Sequence, residues 1–166
     1  MKIRGIEINF LALLGTGLLI ASMFFPWWSF ALEWTPRTDI YPYVIDGPGS
    51  ELVGYSRSPS MSILTGVLAA CILMMLAGGF LRGKAAPILL GISGLLTLTG
   101  SFLLIRRLGG VAARFHIPLH GSGTTFYEMM IIETWASLQP GLFLAVAAGL
   151  LALLACLSET RLFRGG

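Results

Sequence analysis

The sequence predicts an all-α membrane protein: a bundle of four transmembrane helices with a small extracytoplasmic antiparallel β-sheet, in a single domain. Composition is the first indication, because 55% of the 166 residues are hydrophobic, 11% are charged, and the mean hydropathy is +0.82, well above soluble domains. The second is a pair of uncharged apolar runs at 61–81 and 85–105, each about 20 residues and so long enough to cross a hydrocarbon core of about 30 Å. The third is the placement of all four Trp and all four Tyr between apolar runs.

Residues 8–25 form the first apolar run, which is either a spanning helix or the core of a signal peptide. The stretch Ile20-Ala21-Ser22-Met23 matches a small-x-small cleavage site poorly. We therefore predict a first helix over about 8–25, ended by Pro26, which cannot continue a helix.

Residues 26–60 form a first loop with the pattern of β-strands. Apolar residues recur there at every second position, which directs them to one face of a strand. They are Trp28, Phe30, Leu32 and Trp34. Weaker strand candidates at 40–45 and 51–55 are separated by the turn residues 46–49. We expect a small antiparallel sheet.

Two helices at about 61–81 and 85–105 follow, joined by the short turn 82–84, so they must be antiparallel neighbours. Arg106 and Arg107 are predicted to close the third helix, where cations favour a helix C-terminus. A fourth helix over about 139–157 starts through Pro140, a residue suited to a first turn.

Residues 106–138 form a second loop, with Gly109-Gly110 and Gly121-Ser122-Gly123 as expected breaks in regular structure. The segment 124–135 is ambiguous. Thr125-Phe126-Tyr127-Glu128 fits a capping box that would open a short helix, yet the whole segment is rich in β-formers. The pattern slightly favours a strand added to the sheet of the first loop.

The charges predict the topology. Basic residues in short loops are retained in the cytoplasm, and the two termini with the turn 82–84 carry six cations against two anions, whereas the loops 26–60 and 106–138 carry five against six. We therefore expect a multi-pass protein of the cell membrane with both termini cytoplasmic and both loops extracytoplasmic.

Few residues carry potential chemistry. The four apolar runs contain no Asp, Glu, Lys, Arg or His, which argues against an ion pump, a proton relay or haem held between helices. Cys71 and Cys156 lie at different depths of their helices and are not expected to pair. A group of four residues in the second loop has ligand types suited to a metal, but Pro118 disfavours the helix that would align its histidines. The group is His116, His120, Glu128 and Glu133.

The arrangement resembles the claudin-type family of tetraspan proteins. Four predicted spans, a long first outer loop, a tight inner turn and a shorter second outer loop follow that family's plan, and Trp28 and Trp34 lie where the family keeps tryptophans. The chain lacks the family's Gly-Leu-Trp motif and the cysteine pair of its first loop. The resemblance implies an outer sheet and a role in adhesion or in a paracellular barrier.

We predict a non-catalytic protein that acts by contact with other membrane subunits or with copies of itself, without nucleic acid, metal or other cofactor. The candidate contact residues are aromatic, since Trp and Tyr dominate interface hot spots, although the same residues suit anchoring in interfacial lipid. They are Trp27, Trp28, Trp34, Tyr41, Tyr43, Tyr127 and Trp135. Candidates for lipid head-group binding are Arg82, Lys84, Arg106 and Arg107. The alternative is a membrane enzyme or a lipid- or quinone-binding subunit with a site under the second loop.

Overall fold

The computed structural model describes residues 2–3, 6–7, 9–53, 56–81, 83–127 and 130–164, and the side chains of 9–51, 56–81, 83–125 and 131–160. The described chain forms two compact units. The helical unit draws on 1–21, 66–101 and 144–166, and the sheet unit on 22–65 and 102–143.

The described elements are five helices and seven strands. In chain order they are β1 (Lys2–Ile3), β2 (Ile6–Glu7), α1 (Phe10–Phe24), β3 (Trp28–Leu32), β4 (Thr38–Ile40), β5 (Ile45–Asp46), α2 (Gly49–Val53), α3 (Pro59–Phe80), α4 (Ala85–Arg114), β6 (Gly121–Tyr127), β7 (Met130–Leu138) and α5 (Pro140–Arg164). Among the described residues, three stretches are long and apolar enough to cross a membrane: α3, α4 and Pro140–Thr160 of α5. The protein is mostly helical, with three long apolar helices and a small antiparallel sheet, as expected of a membrane protein.

Helix α1 is shorter than the predicted span. It has 15 residues, about 22 Å at 1.5 Å per residue. Asn9 starts it, because the Asn9 side-chain oxygen accepts the Ala12 N–H at 3.2 Å, as an N-cap does. The Asn9 amide also donates to a Glu159 carboxylate oxygen at 2.9 Å, which fixes the cap to α5.

Helix α4 is longer than predicted. The expected end at Arg106 and Arg107 and the expected break at Gly109-Gly110 are both wrong, since α4 continues to Arg114. A stripe of buried residues explains the continuation, because it recurs every three or four positions along the whole helix. Its members are Ala86, Leu90, Ser93, Thr97, Ser101, Leu104, Leu108 and Ala112. Packing of Leu108 and Ala112 offsets the weak helix propensity of the two glycines.

His116 ends α4 in a left-handed turn. Its φ is 54°, the Ile117 N–H bonds the Ala112 carbonyl at 2.9 Å, and the His116 N–H bonds the Ala113 carbonyl at 3.3 Å. This is the Schellman arrangement, in which glycine is preferred at the left-handed position. His116 therefore has a structural role as the residue that reverses the chain.

We expect His116→Gly to stabilise the protein by about 0.5–1 kcal/mol, because glycine adopts a positive φ without steric cost. His116→Ala should instead be neutral or destabilising, since alanine keeps that cost. Denaturant unfolding in mild detergent measures both. A glycine variant less stable than wild type would show that the imidazole itself is needed.

The helical unit packs through small residues on α5. Ala145, Ala148, Ala152 and Ala155 are fully buried. A Cβ added at Gly94 of α4 would lie 2.9 Å from the Gly149 carbonyl, so these two backbones approach as closely as small residues allow.

The small residues in the first half of α3 behave differently. Ser62, Gly66, Ala69 and Ala70 are exposed, whereas α3 buries larger side chains, among them Leu68 and Met75. Only near its end does α3 bury two glycines, Gly78 and Gly79.

The sheet of the second unit has five antiparallel strands in the order β5-β4-β3-β7-β6. Both loops contribute, as predicted, and the described residues of the ambiguous segment, 124–127 and 130–135, are extended in β6 and β7. The strand predicted over 51–55 is wrong: Gly49–Val53 is a short helix, and Tyr55 lies outside the described residues. The buried Thr38 hydroxyl accepts the Gly49 N–H at 2.9 Å, which holds the start of α2 against β4.

Candidate functional site

The two faces of the sheet differ in burial. Strand register places Trp28, Thr38 and Ala136 on one face with Thr134 and Ile132, and all five are buried. On the other face Ser29 is buried, while Trp135 and Glu133 are exposed. The second surface is called the open face below, and it comprises Ser29, Ala31, Asp39, Asp46, Ser122, Thr124, Glu133, Trp135 and Ser137.

Burial divides the aromatic residues predicted to contact partners. Trp27 and Trp28 are 0% and 1% exposed, so both side chains belong to the core. Trp34 and Trp135 are 63% and 44% exposed. Tyr41 and Tyr43 are partly exposed, and the side chain of Tyr127 lies outside the described residues.

An open groove of about 480 Å³ crosses the open face. It runs over strands β3, β7 and β6, which bring together residues about one hundred positions apart in sequence. Its lining consists of Ser29, Phe30, Ala31, Arg37, His120, Gly121, Ser122, Trp135, Ala136 and Ser137. The lining thus combines one guanidinium, one imidazole, one indole and three serine hydroxyls.

Two bonds hold the Arg37 guanidinium at the groove. Its Nε donates to an Asp39 carboxylate oxygen at 2.6 Å, and one Nη donates to the Ser29 hydroxyl at 2.7 Å. Asp39 lies opposite Ser29 in the register between β3 and β4. The strand pairing therefore sets the orientation of the cation.

The segment bearing His120 is held from beneath the sheet. The buried Trp28 indole N–H donates to the Leu119 carbonyl at 2.8 Å, and a Cβ at Gly123 would lie 3.1 Å from the Pro118 ring. Gly121, with a φ of 98°, then turns the chain into β6, a conformation that side chains disfavour. His120 is exposed at the groove edge.

The residues predicted as weak metal candidates do not form a cluster in the part of the chain that the structure describes. No group of three or more His, Cys, Asp or Glu there is arranged to hold a metal ion. His116 ends α4, and His120 lines the groove. Glu133 lies on the open face next to Glu33, and the Glu33 N–H bonds the Glu133 carbonyl at 3.0 Å. Glu128 lies outside the described residues.

The cations predicted to meet lipid head groups are exposed where they are described. Lys84 follows Gly83, whose φ is 88° in the turn between α3 and α4. Arg106 and Arg107 lie on the exposed side of α4, within the helix and not at its end. Arg82 lies outside the described residues.

Cys71 and Cys156 are free thiols, as predicted.

The opposite edge of the sheet carries a tyrosine pair. The rings of Tyr41 and Tyr43 lie 5.7 Å apart. Partial burial and the nearby carboxylates of Asp39 and Asp46 raise the pKa of the Tyr41 phenol above its usual value. The phenol therefore stays protonated to a higher pH than that of an ordinary tyrosine.

Sequence reasoning missed Arg37, Ser29, Ser122 and Ser137 as site residues. One signal was present: the period of two that directs Trp28 and Phe30 inward directs Ser29 and Ala31 to the other face. The partners of Ser29 across β7 and β6 depend on a long-range register that no local pattern specifies.

No protein-family model matches the chain, and no curated protein matches it either.

Proposed function

We propose that this protein is a four-span membrane protein that acts by protein contact, either with copies of itself or with other membrane subunits. In this arrangement α1, α3, α4 and α5 cross the bilayer, both termini are cytoplasmic, and the loops 26–60 and 106–138 that form the sheet are extracytoplasmic. The uncharged apolar runs and the cationic inner segments support the topology. Helix α1 spans a locally thinned bilayer, a mismatch that membranes tolerate at modest cost.

The outward face of α3 carries the proposal. Ser62, Gly66 and Ala70 recur at intervals of four and are all exposed, and a Cβ at Gly66 would meet nothing within 4 Å. In lipid, helices associate through small residues at such intervals, because they let two backbones approach closely. The small residues of α5 are buried within the protein, whereas Ser62, Gly66 and Ala70 of α3 have no such partner among the described residues and suit a helix from outside the chain.

The sheet unit offers a second contact region. Trp34 and Ile131 are 63% and 62% exposed, and an apolar side chain on a water-facing sheet is typical of an interaction surface. The resemblance to the claudin-type plan also supports a contact function, because it implies a role in adhesion or in a paracellular barrier. We propose that α3 supplies the association in the membrane and the sheet adds contacts outside it.

Gly66→Leu tests the α3 contact. We expect this variant to fold normally, since the site has open space, but to lose the larger assembly that mild-detergent purification recovers from wild type. Cross-linking in membranes followed by size-exclusion chromatography measures the effect. Gly17→Leu is the matched control, because Gly17 of α1 is also exposed with nothing within 4 Å of an added Cβ. Equal assembly of both variants, or a monomeric wild type, would refute the α3 contact.

Labelling of introduced cysteines tests the topology. A membrane-impermeant maleimide added to intact cells should modify Ser56→Cys and Glu133→Cys, and should modify Lys84→Cys only after permeabilisation. Both positions on the sheet unit and Lys84 are exposed in the described chain, so a lack of reaction reports sidedness and not burial. Modification of Lys84→Cys in intact cells would reverse the orientation.

A further inference from the structure

We propose that the groove on the open face binds a small organic oxyanion, a carboxylate or phosphate attached to a flat ring, with the anion on Arg37 and the ring against Trp135. This inference does not depend on the contact made by α3. It would give the protein a ligand-dependent role besides assembly.

The charge of the lining indicates an anion. Arg37 and His120 both line the groove, and none of the ten lining residues is acidic, while the Asp39 carboxylate beside the lining pairs with the Nε side of Arg37. Two of the five N–H donors of Arg37 are used by Asp39 and Ser29, which leaves three without a partner among the described residues. A planar guanidinium presents paired donors that match the oxygens of a carboxylate or phosphate.

The uncharged side chains of the lining favour a ligand that contains a flat ring. The Trp135 indole is 44% exposed and lies in the register between Ala31 and Ser122, so its neighbours across the sheet are small and leave it open. Aromatic rings stack on such a surface. A volume of about 480 Å³ is far larger than an inorganic ion needs and lies within the usual range of about 300–1,000 Å³ for small-molecule sites.

The site is held in place before any ligand arrives. Asp39 and Ser29 fix the guanidinium, and the buried Trp28 fixes the segment that carries His120 and Gly121 through the Leu119 carbonyl. Trp135 and Ser122 are paired across β6 and β7. Preorganisation of this kind lowers the entropy lost when a ligand binds.

Calorimetric titration of the full chain in phosphatidylcholine nanodiscs tests the proposal, with phenyl phosphate as the probe. We expect millimolar or tighter binding, with benzyl alcohol not binding and inorganic phosphate binding more weakly. Arg37→Gln should weaken phenyl phosphate binding by about tenfold or more, the loss expected for a charge-assisted hydrogen bond. Arg57→Gln, an exposed cation elsewhere in the sheet unit, is the charge-matched control and should leave binding unchanged.

Two further variants separate binding from folding. Ser122→Asp places a carboxylate in the lining at an exposed position and should abolish binding while near-ultraviolet circular dichroism stays native. Trp135→Ala should reduce phenyl phosphate affinity to that of inorganic phosphate. Undetectable heat with wild type at millimolar phenyl phosphate, or equal losses in Arg37→Gln and Arg57→Gln, would overturn the proposal.

A last arm identifies the source of the anion. Phosphatidylinositol carries a phosphate in its head group, and its inositol ring is saturated and not flat, so nanodiscs containing it should compete with phenyl phosphate for Arg37 if a lipid supplies the anion. Competition in wild type that is lost in Arg37→Gln assigns the groove to a lipid head group. Absence of competition, with phenyl phosphate still bound, assigns it to a soluble oxyanion.

Discussion

Gly141→Ala should destabilise the protein by about 2–3 kcal/mol, the cost of forcing an extra group into a packed site. Gly141 lies in the first turn of α5, where its N–H bonds the Pro26 carbonyl at 3.1 Å. An added Cβ would lie 2.7 Å from that carbonyl oxygen and 2.6 Å from the Trp27 ring, and would also meet the Phe25 carbonyl. Two of these neighbours are main-chain atoms, so the steric overlap with the added Cβ can be removed only by movement of the backbone.

Gly17→Ala is the matched control and should change stability in the opposite direction. An added Cβ at Gly17 meets nothing within 4 Å, and alanine is favoured over glycine within a helix by about 0.5–1 kcal/mol. Titration with a denaturing detergent, followed by tryptophan fluorescence, measures both variants. If Gly141→Ala unfolds at the wild-type midpoint, the close approach of residues 25–27 to α5 is not present.

Trp28→Ala should destabilise the protein by about 3–5 kcal/mol, the usual cost of removing a large buried aromatic side chain. Trp28 is 1% exposed and its ring lies 5.2 Å from that of Phe30. The truncation also removes the donor to the Leu119 carbonyl. Trp28→Phe keeps most of the apolar volume but not the donor, so its loss should be smaller, about 1–3 kcal/mol.

Trp34→Ala provides the comparison, because Trp34 is 63% exposed and surface substitutions usually alter stability by no more than about 0.5 kcal/mol. Thermal unfolding in mild detergent, followed by near-ultraviolet circular dichroism, distinguishes the two sites. Equal effects at Trp28 and Trp34 would mean that the indole of Trp28 is not in the core. The comparison of Trp28→Ala with Trp34→Ala also shows which of the two tryptophan side chains is exposed and can contact a partner.

The long helices could be predicted from the sequence because their signals are local. The apolar runs at 61–81 and 85–105 lack charged residues, and Pro140 begins α5 as predicted. The predicted end of α4 was wrong because the low helix propensity of glycine was considered without the tertiary packing of the same segment. The recurrence of Leu104, Leu108 and Ala112 was the signal that favoured continuation.

The long apolar helices and the extended, aromatic-rich segments between them follow from local sequence, because composition and periodicity depend on neighbours in the chain. The burial of particular tryptophans, and the meeting of Arg37, His120 and Trp135 at one groove, depend on the folded chain. Burial and strand register are set by contacts between distant residues: the pairing of Ser29 with Ser137 joins two separate loops. A shift of that register by one residue would exchange the two faces of β7, and no local pattern fixes it.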